Sequence, residues 1–287
     1  MSKILKNIGK VCRMIKIEHS VFALPFAYAG AFFAAGGWPG WRIMIFLTVA
    51  MVAVRSFAMA YNRLADVEID AKNPRTQDRP LVSGELTPRF TMQFIVACAT
   101  IFVLACAGLN WVCFALSPLA LIWSAFYSYC KRFTHWCHFV LGSVLGLAPV
   151  AGGLAVTAEV SLTSALLFFG VLFWVAGFDL LYACQDREFD REEGLNSIPA
   201  KLGLRAALGI SSVSHFATAA FFVLAGWAAG AGFVYFLAAL GAGLFLMWEH
   251  RLISPEDMSR VNVAFFTING IISVLLFAGV IIDLALR

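Results

Sequence analysis

Nine apolar runs set the terms on which this chain can fold. They cover residues 21–37, 43–65, 90–109, 111–129, 138–157, 161–184, 206–227, 229–248 and 261–284. A helix needs about 20 apolar residues to cross the hydrocarbon core of a bilayer, and each run is close to that length. Only 13% of the 287 residues are charged and 61% are hydrophobic, whereas a soluble domain carries about 25% charged residues. Lipid therefore solvates most of this chain. The expected fold class is all-α integral membrane, one bundle of nine transmembrane helices forming a single domain over 1–287.

Ahead of the first run, 1–19 alternates Lys and Arg with Ile, Leu, Val and Met, the pattern of an amphipathic helix lying on a membrane surface. No small-residue cleavage site follows it, which argues against a signal peptide. Basic residues then alternate sides. The N-terminal segment holds five, and the next breaks on that side hold Arg63, Lys72, Arg75, Arg79 and Arg89, then Lys131 and Arg132, then Arg187, Arg191, Lys201 and Arg205, then Arg251 and Arg260. The intervening breaks hold Arg42 alone. By the positive-inside rule the N-terminus and the charged loops face the cytoplasm, in an inner (cytoplasmic) membrane.

Two of those loops begin alike. Asp66 and Asp70 close the second run in DVEIDAKNPRTQDRP, and Asp186 and Asp190 close the sixth in DREFDREEGLNSIP. The chain thus reads as two pseudo-repeat halves, about 20–130 and 138–284. Four-residue spacing puts each acid pair on one helix face, about 6 Å apart. Asn62 extends the first face by a turn; Tyr182 and Asp179 extend the second. Carboxylates crowded at a membrane boundary repel one another and resist burial. Either they are solvated in loops, or they hold hard divalent cations. Mg²⁺ takes oxygen ligands, commonly one or two carboxylates together with waters and phosphate oxygens. Two such faces on the same side, each ending a span, favour a metal-bridged diphosphate.

The residues around the acids carry a resemblance. Asn62, Asp66 and Asp70 followed by RTQDRPLVSG resemble the first signature of the UbiA superfamily of intramembrane aromatic prenyltransferases. YACQDREFDREEGLNSIPAKLG at 182–203 is similar to its second block, and YSYCKRFTHWCHFVLG at 127–142 to the segment between them. The likeness covers nearly the whole chain. Two positions depart from it: Arg63 stands where the family usually has an acid, and Asn196 where Lys is frequent. The resemblance implies a nine-helix bundle with a central cavity opening near the cytoplasmic face. It implies Mg²⁺-dependent transfer of a polyprenyl group from its diphosphate to an aromatic acid, as in menaquinone or ubiquinone biosynthesis. The stretches 15–30, 55–63 and 147–156 look most like the branch that prenylates a dihydroxynaphthoate; the 4-hydroxybenzoate branch is the close neighbour.

Residue roles follow as expectations. Asn62, Asp66, Asp70, Asp186 and Asp190 hold the metal, and the four acids neutralise charge growing on the leaving diphosphate. Arg79, Lys131 and Arg132 contact its phosphates. Tyr127 and Tyr182 steady an allylic cation through their ring faces, or serve as ordinary bundle packing. Arg55 lies seven residues before Asn62, two turns deeper, where a charge needs a partner. It either pairs with Asp179 or clamps the acceptor's carboxylate. The partners are a polyprenyl diphosphate, an aromatic acid and the bilayer, with no nucleic acid.

Plainer readings attach to other groups. His19 sits at the head-group level, His135 and His138 are exposed in a loop, and Glu249 and Asp283 mark the interface. Gly142, Gly146, Gly152 and Gly153 allow close helix packing, and the seven Cys fill small apolar spaces. Other classes fit less well. A transporter would place charge near the bilayer midplane, a phospholipid head-group transferase would carry a different Asp pattern, and a haem-farnesylating member of the same superfamily is the nearest alternative enzyme.

Overall fold

The computed structural model describes residues 3–16, 20–254, 257–258, 260–261 and 267–287. His19 and part of the ninth run lie outside the described residues. The described residues are helical, with no strand among them. In chain order the helices are α1 (Lys3–Ile15), α2 (Ser20–Ala35), α3 (Trp41–Ala65), α4 (Val67–Lys72), α5 (Pro88–Leu109), α6 (Trp111–Tyr127), α7 (Cys137–Thr157), α8 (Leu162–Ala183), α9 (Arg187–Glu192), α10 (Ile198–Leu202), α11 (Leu204–Ala228), α12 (Phe233–Leu252) and α13 (Asn269–Ala285). Short 3₁₀ turns, Cys130–Arg132 and Cys184–Asp186, precede α7 and α9.

Seven stretches are long and apolar enough to cross a membrane: Trp41–Ala65, Pro88–Leu109, Trp111–Arg132, Cys137–Thr157, Leu162–Glu192, Leu204–Ala228 and Phe233–Leu252. Two further apolar helices, Ala23–Ala35 and Asn269–Ala285, are shorter. All nine expected runs are therefore helical where described, seven of them at full spanning length. The protein is an integral membrane helical protein.

Two compact units make up the chain, residues 1–20 with 46–129 and residues 21–45 with 130–287. In the first, the apolar end of α1 buries Met14 and Ile15 against Phe57, Ala60, Leu86, Ile95 and Cys98. Arg13 pairs with Glu85 at 2.5 Å, tying that helix to the loop before α5. Asn110 turns the chain from α5 into α6, its side chain accepting from Cys113 N at 2.9 Å, which satisfies one of the helix's open N–H groups.

The second unit is built around α8, which packs most extensively against α7 and α11. The expected glycine packing holds at three of four positions. A Cβ on Gly142, Gly146 or Gly152 would run into the backbone carbonyl of Leu172, Phe168 or Ala27, whereas one on Gly153 would meet Ser164 at an ordinary 3.5 Å. Backbones that approach this closely admit only glycine.

The two acids expected at the interface, both in the last turns of their helices, are buried. Glu249 is 0% exposed and accepts from Asn269 Nδ2 at 3.2 Å, while Asn269 Oδ1 accepts from Trp174 Nε1 at 2.6 Å. Asp283 accepts from the backbone N–H of Gly232 and Tyr235 at 2.8 and 3.2 Å, capping the start of α12, and pairs with Arg287. In lipid such groups find partners within the protein, because no water competes for them.

Candidate functional site

Both acid motifs are built the same way, each within its own unit. Asp66 follows the end of α3, and Asp186 closes the 3₁₀ turn after α8; their backbones take nearly the same conformation, φ −105°, ψ 12° and φ −96°, ψ 6°. A six-residue helix then starts, VEIDAK in one case and REFDRE in the other, and the second acid falls in its first turn. Asp70 and Asp190 are buried, 7% and 1% exposed. The four-residue spacing read from the sequence is real in the first motif, where Asp66 N bonds Asn62 O and Asp70 N bonds Asp66 O. The chain breaks from one helix to the next at the first acid instead of ending there.

Each buried second acid is met by one cation. In the first unit Arg79 Nη1 donates to Asp70 Oδ2. The loop between them is folded to make this possible. Asn73 Oδ1 accepts from Arg75 N at 2.9 Å, an Asx turn. Thr76, 2% exposed, donates its hydroxyl to the Asp70 carbonyl at 2.8 Å, and Arg79 N bonds Thr76 O at 3.0 Å. Upstream, Asn62 Nδ2 donates to Asp66 Oδ2 at 2.9 Å, and buried Arg63 donates to Asn62 Oδ1 at 3.3 Å. The unexpected arginine thus braces a proposed ligand.

In the second unit Lys131 Nζ lies 3.1 and 3.3 Å from the two oxygens of Asp190. Lys131 is held at its backbone by Asn196, whose N and Nδ2 donate to the Lys131 carbonyl at 2.7 and 3.3 Å. Ser197 next to it caps α10 through Ala200 N at 3.3 Å. Asn196, which departs from the family pattern, is therefore structural support for the cation. Charge-assisted pairs of this kind are strong where water is scarce, and they keep the acids from standing as uncompensated buried charge.

The remaining expected site residues are placed less tightly. Arg132 is exposed, and Arg55, Tyr127 and Tyr182 are half-buried. Asp179, offered by the sequence as a partner for Arg55, is held by His138, whose Nδ1 lies 2.7 Å from Asp179 Oδ2. The expectation that His138 is exposed is wrong: it is 0% exposed. His135 is half-buried. Sequence reading missed Asn73, Thr76 and the His138–Asp179 pair, and singled out Asn196 without its bond to Lys131. The Asn-Pro-Arg-Thr string could have suggested the Asx turn; nothing local signals the others.

Among the described residues, no three His, Cys, Asp or Glu side chains gather into a metal cage. The chemistry of the donors present is nonetheless that of a hard cation, carboxylate and amide oxygens, and Mg²⁺ draws part of its coordination from waters and substrate phosphates.

Comparison with known proteins agrees. Residues 23–271 match the family model described as the UbiA prenyltransferase family. A 4-hydroxybenzoate octaprenyltransferase of Sodalis glossinidius is 28% identical over 276 residues, 95% of this chain and 94% of that protein. The apo structure of a UbiA homolog from Aeropyrum pernix K1 superposes with a TM-score of 0.85 at 36% identity, covering 93% of this chain and 98% of that one. A UbiA homolog from Archaeoglobus fulgidus, bound to GPP and Mg²⁺, shares the fold at a TM-score of 0.77 and 22% identity, over 96% and 99%. Fold, buried acid motifs and family match converge on one assignment: the chain belongs to the UbiA prenyltransferase family, as a membrane-embedded aromatic prenyltransferase.

Proposed function

We propose that this enzyme transfers a polyprenyl group from a polyprenyl diphosphate to the ring of an aromatic hydroxy acid, with dihydroxynaphthoate favoured over 4-hydroxybenzoate. The observation that carries the reading is the repeated construction of the two motifs, a buried carboxylate paired with a cation at the end of an apolar helix. Such a place suits an amphiphile whose anionic head needs charge and whose tail needs lipid. The relatives are named for 4-hydroxybenzoate, so that acceptor is the second reading; the stretches at 15–30, 55–63 and 147–156 favour the first.

Asn62, Asp66, Asp70, Asp186 and Asp190 would hold Mg²⁺ on the diphosphate. When bound, the metal supplies Lewis-acid stabilisation of the charge that grows on the departing diphosphate. Arg79 and Lys131 turn from their carboxylates to phosphate oxygens, and Arg132 adds a third cation. Arg55 clamps the acceptor's carboxylate with its planar fork. The ring faces of Tyr127 and Tyr182 stabilise the allylic cation, and a dry surrounding keeps water from it. The C–O bond breaks toward the diphosphate, the ring carbon bonds to the allylic carbon, and the ring proton passes to an oxygen of the departed diphosphate to restore aromaticity. We further propose that the chain is one domain with nine crossings, its cavity opening on the cytoplasmic side of the inner membrane; the Lys and Arg distribution supports that orientation.

The test is incubation of membranes containing the protein with Mg²⁺, a labelled polyprenyl diphosphate and a panel of aromatic acids. Prenylated dihydroxynaphthoate without prenylated 4-hydroxybenzoate is the expected outcome. The reverse preference assigns the second reading, and no aromatic product with either would refute both.

A further inference from the structure

Asp179 is a charged side chain on the closely packed end of α8. From Trp174 to Ala183, every residue of α8 is buried except Asp179 and Tyr182. Those two are three positions apart and share a helix face; beyond Ala183 the chain tightens into the 3₁₀ turn that ends at Asp186. The Asp179 side chain keeps 21% of its surface accessible, while its partner His138 is wholly enclosed. A carboxylate within a membrane span does not face lipid without heavy cost. The accessible edge of Asp179 therefore faces something polar, while Tyr182 beside it packs against Leu181, Ile253 and Val261.

Asp179 lies too far from the acid motif to share its metal. The last turn of α8 and the 3₁₀ turn after it separate Asp179 from Asp186, roughly 12 Å along the axis, against about 2 Å for a carboxylate on Mg²⁺. Its negative charge also repels a diphosphate or a second carboxylate. A neutral hydrogen-bond donor is the ligand such a group accepts.

The pair with His138 is suited to aim that carboxylate. An ionised carboxylate only accepts hydrogen bonds, so His138 Nδ1 donates to Asp179 Oδ2 at 2.7 Å. The other imidazole nitrogen, Nε2, is buried with no hydrogen-bond partner among the described residues. The imidazole fixes Oδ2 and leaves Oδ1 for a ligand. An arginine in that place would occupy both oxygens. His138 itself begins α7 beside Cys137, whose thiol lies 3.7 Å from the Asn196 carbonyl. The residue that pins Lys131 and the residue that aims Asp179 are thus held in one local frame.

We propose that Asp179, positioned by His138, is the hydroxyl-recognition residue of the aromatic acceptor. Oδ1 accepts the hydrogen bond of a ring hydroxyl and Tyr182 covers the ring. The hydroxyl then donates electron density to the carbon beside it, and the bond sets which carbon meets the allylic centre. This rests on the acceptor being an aromatic hydroxy acid, as proposed above.

The experiment compares a hydroxy acceptor with its O-methyl ether, which has no proton to donate. Wild type should prefer the hydroxy form by at least about 100-fold in kcat/KM, because a site built to bind a hydroxyl rejects the analogue that lacks it. In Asp179→Asn and Asp179→Leu that preference should fall below about tenfold, with the KM for the polyprenyl diphosphate unchanged. His138→Leu should follow them. His138→Asn, whose amide nitrogen can stand in for Nδ1, should retain most of the preference. A merely structural role would lower turnover of both acceptors together and leave their ratio intact. An unaltered ratio in Asp179→Leu, or an equal rise in the diphosphate KM, overturns the proposal. Wild type making no product from any aromatic hydroxy acid would instead overturn the parent reading and this one with it.

Discussion

The pair of Lys131 with Asp190 makes a prediction with two unequal arms. The Asp190 side chain is 1% exposed and that of Lys131 36%. At a separation of 3.1 Å and an effective dielectric of about 20, their attraction is about 5 kcal/mol before desolvation is subtracted. Removing the acid by Asp190→Ala leaves a lysine that water can reach, so the fold should lose little, about 1 kcal/mol. Removing the cation by Lys131→Met strands a carboxylate out of water. Breaking a buried pair in that way costs about 3–5 kcal/mol, and the partial exposure of Lys131 places this case near the lower figure. Turnover should show the opposite order. Asp190→Ala removes a proposed metal ligand and should lower kcat/KM by at least about 1,000-fold, close to 4 kcal/mol of transition-state stabilisation. The assay measures thermal unfolding of the detergent-solubilised protein and prenyl transfer from a labelled diphosphate. Mg²⁺ with inorganic pyrophosphate should restore much of the lost stability to Lys131→Met, because a bound cation can stand where the ammonium was. Turnover of Asp190→Ala within tenfold of wild type would refute the metal role. So would a Lys131→Met protein whose stability ignores Mg²⁺ and pyrophosphate.

Three further outcomes follow from the same geometry. Thr76→Val keeps the shape but removes the hydroxyl bond to the Asp70 carbonyl, so it should cost about 1–3 kcal/mol and weaken diphosphate binding by loosening the loop that presents Arg79; unchanged diphosphate KM and melting temperature would contradict this. Gly152→Val should prevent close packing of α2 on α7 and cost at least about 1–3 kcal/mol, whereas Gly153→Ala should be nearly neutral; equal melting temperatures for the two would show that the approach to Ala27 is not tight. Arg55→Lys should raise the acceptor KM about tenfold or more through loss of the bidentate fork and leave the diphosphate KM as it was, and a wild-type acceptor KM would remove Arg55 from that role.

Much of this architecture was legible before any coordinates, because membrane constraints act locally. A crossing helix must satisfy its own backbone, so length and apolarity mark it in the chain wherever it packs. The nine runs all return as helices where described. Four-residue spacing made the acid pairs visible for the same reason. What failed was any reading that depended on partners remote in sequence. His138 was taken for a loop residue because its neighbours are aromatic and polar, yet a carboxylate 41 residues away encloses it. Glu249 looked like a boundary charge and is buried with Asn269, 20 residues on.

By itself the sequence determined that the chain lives in lipid, that it is helical, and that carboxylates gather where two spans end. Periodicity and hydropathy carry those facts, and each can be read from a window of about 20 residues. Only the tertiary structure decided which cation meets which acid, that Asn196 holds Lys131 in place, and that Asp179 is aimed by a buried imidazole. Those choices depend on helix packing across tens of residues, where a shift of one turn would replace every partner while leaving the hydropathy unchanged.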